Sequence, residues 1–173
     1  MKTWVAAALA ACLAGSSSAA EMSPQLEPLR PYLGKAWRGV FPRSTPDKPL
    51  IDVSRWDLAL NGKAVRILHS INDGDYGGET LIVWDAERKG LVFFYFTTGG
   101  FYTTGTVTVE GGSLITLETV KGNAEGVTEV KGATRLLPDG RMHVKTLYRK
   151  HGDWIEGREV YYVETKDAEV RFK

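Results

Sequence analysis

The chain has 173 residues, 43% of them apolar, with 22 Lys and Arg against 21 Asp and Glu. That is one domain's length, enough to bury a core. There is no basic run or basic helix, so neither nucleic acid nor an anionic membrane surface is expected as a partner.

Residues 1–20 read as a separate object. MKTWVAAALAACLAGSSSAA opens with Lys2, continues as an apolar run and ends in small residues before Glu21. This is the pattern of an export signal cleaved near Ala20, too short for a membrane span, and it places the mature protein in the periplasm or outside the cell. Cleavage would remove Cys12, the only cysteine, and with it all thiol chemistry. The competing reading is a lipobox at Leu9-Ala10-Ala11-Cys12, which would leave a lipid-anchored protein. Residues 21–34 then carry Pro24, Pro28 and Pro31, which limit them to a short helical plug presenting Leu26, Leu29 and Leu33.

From residue 35 onward apolar and polar residues alternate, and turn signals recur at short intervals. Candidate strands fall at 35–41, 51–60, 63–71, 79–84, 91–98, 101–109, 114–120, 127–137, 141–149 and 154–164, with a tail at 166–173. The expected fold is all-β: an antiparallel up-and-down closed barrel of about ten strands spanning residues 35–165, since a sheet of that size must curl, split or close.

The turns set the register, and the register sorts side chains into two faces. A two-residue turn at Asn61-Gly62 puts Asp57 opposite Arg66 and turns Trp56, Ile67 and His69 inward. The connection 85–90 sets Trp84 against Leu91. Taking Gly99-Gly100 as a two-residue turn pairs Tyr95 with Thr104 and Phe94 with Gly105, and Gly111-Gly112 carries the sheet onward. One face then collects Thr80, Ile82, Trp84, Phe93, Tyr95, Tyr102, Thr104, Thr106, Ile115, Leu117 and Thr119, without charge. The other holds Glu79 and Glu118, and burying unpaired carboxylates is costly, so the uncharged face is read as interior. A three-residue turn at Pro138-Asp139-Gly140 and a tight turn at His151-Gly152 turn Thr128, Thr134, Met142, Val144, Thr146, Tyr148, Glu159 and Tyr161 inward. His143 falls on the outer face.

The opening Leu33-Gly34-Lys35-Ala36-Trp37-Arg38-Gly39 resembles the start of calycin-like (lipocalin-like) barrels. Trp84-Asp85, a charged loop and an aromatic strand resemble bacterial members known only as a domain of unknown function; the likeness spans residues 29–165. It implies a closed barrel whose interior binds small apolar molecules. Haem-binding relatives use a histidine near the C-terminus; here that role would fall to His69, and no cofactor is expected.

His69 and Glu159 are the inward titratable groups apart from tyrosines. They read either as polar anchors or an acid–base pair tuned by desolvation, or as core groups bonded to Ser54, a threonine or a tyrosine. Asn72-Asp73-Gly74-Asp75 has acidic spacing but reads as a mobile turn, and no metal is expected. Inward threonines suit a cavity holding water or an amphipathic ligand, where a dry core would take Val and Ile.

The leading expectation is an exported protein of the cell envelope that binds a small lipophilic or amphipathic ligand. The expected lining is Trp56, Ile67, His69, Trp84, Phe93, Tyr95, Tyr102, Thr104, Thr106, Thr134, Thr146, Tyr148, Glu159 and Tyr161. One alternative is an isomerase or hydrolase working through His69 and Glu159. Another is an interaction module using Leu81, Phe94, Phe96 and Val107 on the outer face, with weak self-association.

Overall fold

The computed structural model describes residues 21–122 and 125–173. The expected export signal, its cleavage site and Cys12 lie outside the described residues.

The chain begins with a 3₁₀ helix, Pro24–Tyr32. Pro28 and Pro31 sit within it and remove two N–H donors, which favours this short, tight form. At three residues per turn, positions three apart eclipse each other. Leu26, Leu29 and Tyr32 therefore form one stripe, and all three are buried. Glu27 and Arg30 form an ion pair away from it.

Ten strands follow: β1 Lys35–Val40, β2 Ile51–Ala59, β3 Ala64–Ile71, β4 Tyr76–Asp85, β5 Gly90–Thr97, β6 Tyr102–Glu110, β7 Ser113–Lys121, β8 Val127–Leu136, β9 Met142–Lys150 and β10 Asp153–Thr165. Each pairs antiparallel with its chain neighbour, and β1 also pairs with β10, closing the barrel without an edge. The helix covers the end where β2 turns into β3, anchored by the Ser23 N–H on the Gly62 carbonyl at 2.9 Å. Met22, Leu26, Leu29, Tyr32, Trp37, Trp56 and Val65 form the apolar core at that end, with Tyr32 stacked on Trp56 at 5.0 Å. Among the described residues no helix is long and apolar enough to cross a membrane.

Several expected registers hold. Asp57 lies opposite Arg66, Trp84 opposite Leu91, and the turns at 111–112, 138–140 and 151–152 have the expected lengths. Asp57, however, makes its ion pair with Arg55 of its own strand.

Two registers differ, each by one residue. The β5–β6 turn has three residues rather than two. Thr97 bonds Phe101, Gly100 takes φ 77°, and Tyr95 pairs with Thr103 and Phe93 with Gly105. This inverts β6 and β7: Thr103, Val107, Leu114, Thr116 and Glu118 line the interior, while Tyr102, Thr104, Thr106, Ile115, Leu117 and Thr119 face out. Phe93 needs the space that Gly105 leaves, because a Cβ there would lie 2.5 Å from its ring. That packing outweighs the desolvation of one carboxylate.

The second difference is a bulge in β10. Glu156 pairs with Leu147 and Glu159 with Lys145, so Gly157 and Arg158 both stand opposite Thr146. Beyond it Arg158, Val160 and Tyr162 point inward, and Glu159, Tyr161 and Val163 outward. A smaller irregularity between Val127 and Glu129 leaves Thr128 exposed.

Candidate functional site

The barrel encloses a cavity of about 430 Å³. Strand directions divide its wall. Towards the helix-covered end lie Trp56, Ile82, Phe93, Leu114, Met142 and Val144; towards the other end lie Asp52, His69, Tyr76, Tyr95, Glu118 and Arg158. The interior is amphipathic along its length.

The polar end is organised by a chain of hydrogen bonds. The Tyr162 hydroxyl donates to Asp52 Oδ2 at 2.7 Å. Asp52 Oδ1 is 3.0 Å from His69 Nδ1, and His69 Nε2 is 2.6 Å from the Tyr95 hydroxyl, which lies 3.2 Å from that of Tyr76. The chain runs around six neighbouring strands, from β10 to β5. Two glycines let it cross strands. Gly39 of β1 pairs with both Tyr162 and Asp52, and Gly78 of β4 pairs with His69 on one side. A Cβ at Gly39 would lie 2.7 Å from the Tyr162 ring, and one at Gly78 2.5 Å from the Tyr95 ring. With no side chain in the way, residues two strands apart touch.

The electrostatics follow from burial and these bonds. Burial alone would raise the Asp52 pKa, but the bond from His69, the fields of His69 and Arg158 and the Tyr162 hydroxyl hold it below the usual carboxylate range. Burial pushes Tyr95 and Tyr162 well above the ordinary phenol value, so both stay protonated donors. Burial would also lower the Arg158 pKa, but Tyr162, Asp52, Tyr148 and Tyr95 raise it, so the guanidinium stays charged. Glu118, on the β7 wall, is shifted upward by burial, against the field of Arg158.

The cluster is a connected set of hydrogen-bonding groups on the cavity wall. Asp52 has both oxygens engaged, His69 has both ring nitrogens engaged, and the tyrosines are weak acids kept weaker. The Tyr95 hydroxyl carries the Asp52–His69 relay on to the Tyr76 hydroxyl, and both phenols line the cavity.

Of the expected lining residues, Trp56, Ile67, His69, Phe93, Tyr95, Thr134, Thr146 and Tyr148 lie on the cavity wall. Trp84 does not, and is 37% exposed. Tyr102, Thr104 and Thr106 are on the outer face for the turn-length reason given above. Tyr161 and Glu159 are outside because of the bulge, with Glu159 Oε1 2.8 Å from His143 Nε2 and His143 stacked on Tyr161. His69 and Glu159 therefore sit on opposite sides of the barrel wall and cannot act as an acid–base pair. In the outer apolar set, Val107 is buried inside, while Phe94 and Phe96 are exposed and Phe96 stacks on Tyr102.

Sequence reasoning missed Asp52, Tyr76, Glu118, Arg158 and Tyr162. Alternation with Trp56 and Ser54 assigns Asp52 to the interior. The signal for Arg158 is Gly157, a glycine inside a strand pattern, which marks a bulge.

No protein-family model matches the sequence, and no curated protein does. Among solved structures, that of Rv2717c from M. tuberculosis is similar, with a TM-score of 0.56 at 16% identity over 86% of this chain and 100% of that one. The likeness is one of fold: a closed antiparallel barrel.

Proposed function

We propose that this protein is an exported, non-enzymatic binding protein of the cell envelope for a small amphipathic molecule held inside the barrel. The observation that carries the reading is the cavity of about 430 Å³ with an apolar floor and a hydrogen-bonded polar end. A core built only for stability would fill that space, since interiors pack at crystal-like density. The calycin-like opening of the barrel and the signal-like residues 1–20 support the same reading.

A series of n-alkan-1-ols tests it. Each added methylene should tighten binding by about 0.8 kcal/mol until the floor is filled, then the gain should stop. Absence of binding across the whole series overturns the reading. Export is tested separately by the N-terminus of the protein recovered from cells: Glu21 is expected, and a chain starting at Cys12 would indicate lipid anchoring. A second role, weak self-association, is favoured by the outer Phe94, Phe96 and Tyr102, and sedimentation velocity at rising concentration would reveal it.

A further inference from the structure

Arg158 is an anomaly in the packing. A guanidinium carries five N–H donors. Among the described residues its side chain makes no hydrogen bond, and no carboxylate oxygen lies within 4.0 Å. Asp52, whose field it feels, has Oδ1 on His69 and Oδ2 on Tyr162. Its contact with the Phe41 ring is loose, at 6.0 Å from the centroid. The bulge turns Arg158 into the barrel, where the surface it still exposes faces the cavity.

Arg158 is only partly covered on the cavity wall, and an apolar side chain of similar volume would serve the fold as well or better. Folding therefore gives no reason for an arginine here. A ligand does. Tyr148 lines the cavity within the field of Arg158, and its hydroxyl makes no hydrogen bond among the described residues. Guanidinium fork and phenol together match a carboxylate, which accepts two parallel N–H bonds from arginine. Glu118 faces the same space but forms no ion pair with Arg158; burial raises its pKa against the field of that guanidinium.

The cavity limits size. At about 430 Å³ it falls in the range of sites that take a small organic ligand. Taking the cavity as the binding site proposed above, we infer that its ligand is a small apolar monocarboxylate, its carboxylate held by Arg158.

Calorimetric titration of the purified protein with decanoate, decan-1-ol and decylammonium tests this. Decanoate is expected to bind about tenfold or more tighter than decanol, with decylammonium the weakest. Arg158→Met should erase the preference for decanoate while leaving decanol within about threefold of its original affinity, and Arg158→Lys should retain part of it. Equal binding of decanoate and decanol, or a preference that survives Arg158→Met, overturns the carboxylate assignment and leaves the cavity reading intact. No binding by any of the three overturns both. The wild-type comparison needs no variant, so it decides the matter even where Arg158→Met fails to fold.

Discussion

Thr146 and Arg158 meet across β9 and β10 through a single hydroxyl: Oγ1 of Thr146 accepts the Arg158 N–H at 2.9 Å and donates to the Arg158 carbonyl at 3.3 Å. One side chain thus satisfies both backbone groups that the bulge removes from the ladder. It also decides which face the rest of β10 shows to the cavity, because a bulge changes side-chain parity.

Thr146→Val keeps the shape and deletes the hydroxyl. With the Arg158 N–H left unpaired in a buried place, the expected loss is about 1–3 kcal/mol in urea unfolding, and Thr146→Ser should recover most of it. An unchanged midpoint for the valine variant would mean that other contacts hold the bulge.

Glu159 gives the complementary case. It lies outside the barrel, 44% exposed, against His143. Exposed pairs contribute little, so Glu159→Leu should change stability by less than about 0.5 kcal/mol. It should also leave ligand affinity unaltered. A large loss would indicate that the carboxylate is buried and that β10 lacks its bulge.

These two residues show how much was legible in the sequence. Alternation and turn spacing are local signals, and they located the ten strands, the closed barrel and the inward side chains of β2, β3, β5 and β9. What they carry poorly is a count of one. Thr98-Gly99-Gly100 can close as two residues or three, and the choice depends on Phe93 fitting over Gly105 on the next strand, a tertiary fact. Gly157 likewise signals that a bulge can form, but whether it does depends on Thr146 across the ladder. Each miscount moved a whole strand's side chains to the other face, which is why Arg158, Tyr162 and Glu118 were missed while His69 and Tyr95 were found. A carboxylate on the wall is also tolerable where a cation shares the cavity, as Arg158 does with Glu118.

The glycine crossings predict a further effect. A methyl at Gly39 would lie 2.7 Å from Tyr162 Cδ1 and from Val160 Cγ1, so the Tyr162 ring must shift and loosen its bond to Asp52. Gly39→Ala should cost about 1–3 kcal/mol. In combination with Tyr162→Leu the cost should fall short of the sum of the two, because both changes break the same contact. Strict additivity would show that Gly39 acts apart from Tyr162.

Asp52 and Glu118 should give stability opposite dependences on pH. Asp52 has a lowered folded pKa, so its contribution is present above its unfolded value of 3.8 and is lost as pH falls through the folded pKa. Glu118 has a raised folded pKa, so its contribution is complete below its unfolded value of 4.5 and is lost as pH rises from there through the folded pKa. Above that range the native barrel carries an ionised, poorly solvated carboxylate that the unfolded chain holds in water at no cost. Glu118→Gln removes this term without changing volume. Urea midpoints of the variant should match wild type near pH 4, pull ahead as pH rises, and exceed it by about 0.5–2 kcal/mol at pH 8. The Arg158 field works the other way, since it favours the ionised carboxylate. If that attraction outweighed burial, Glu118→Gln would lower stability at pH 8, and Glu118 would then be the counterion of Arg158.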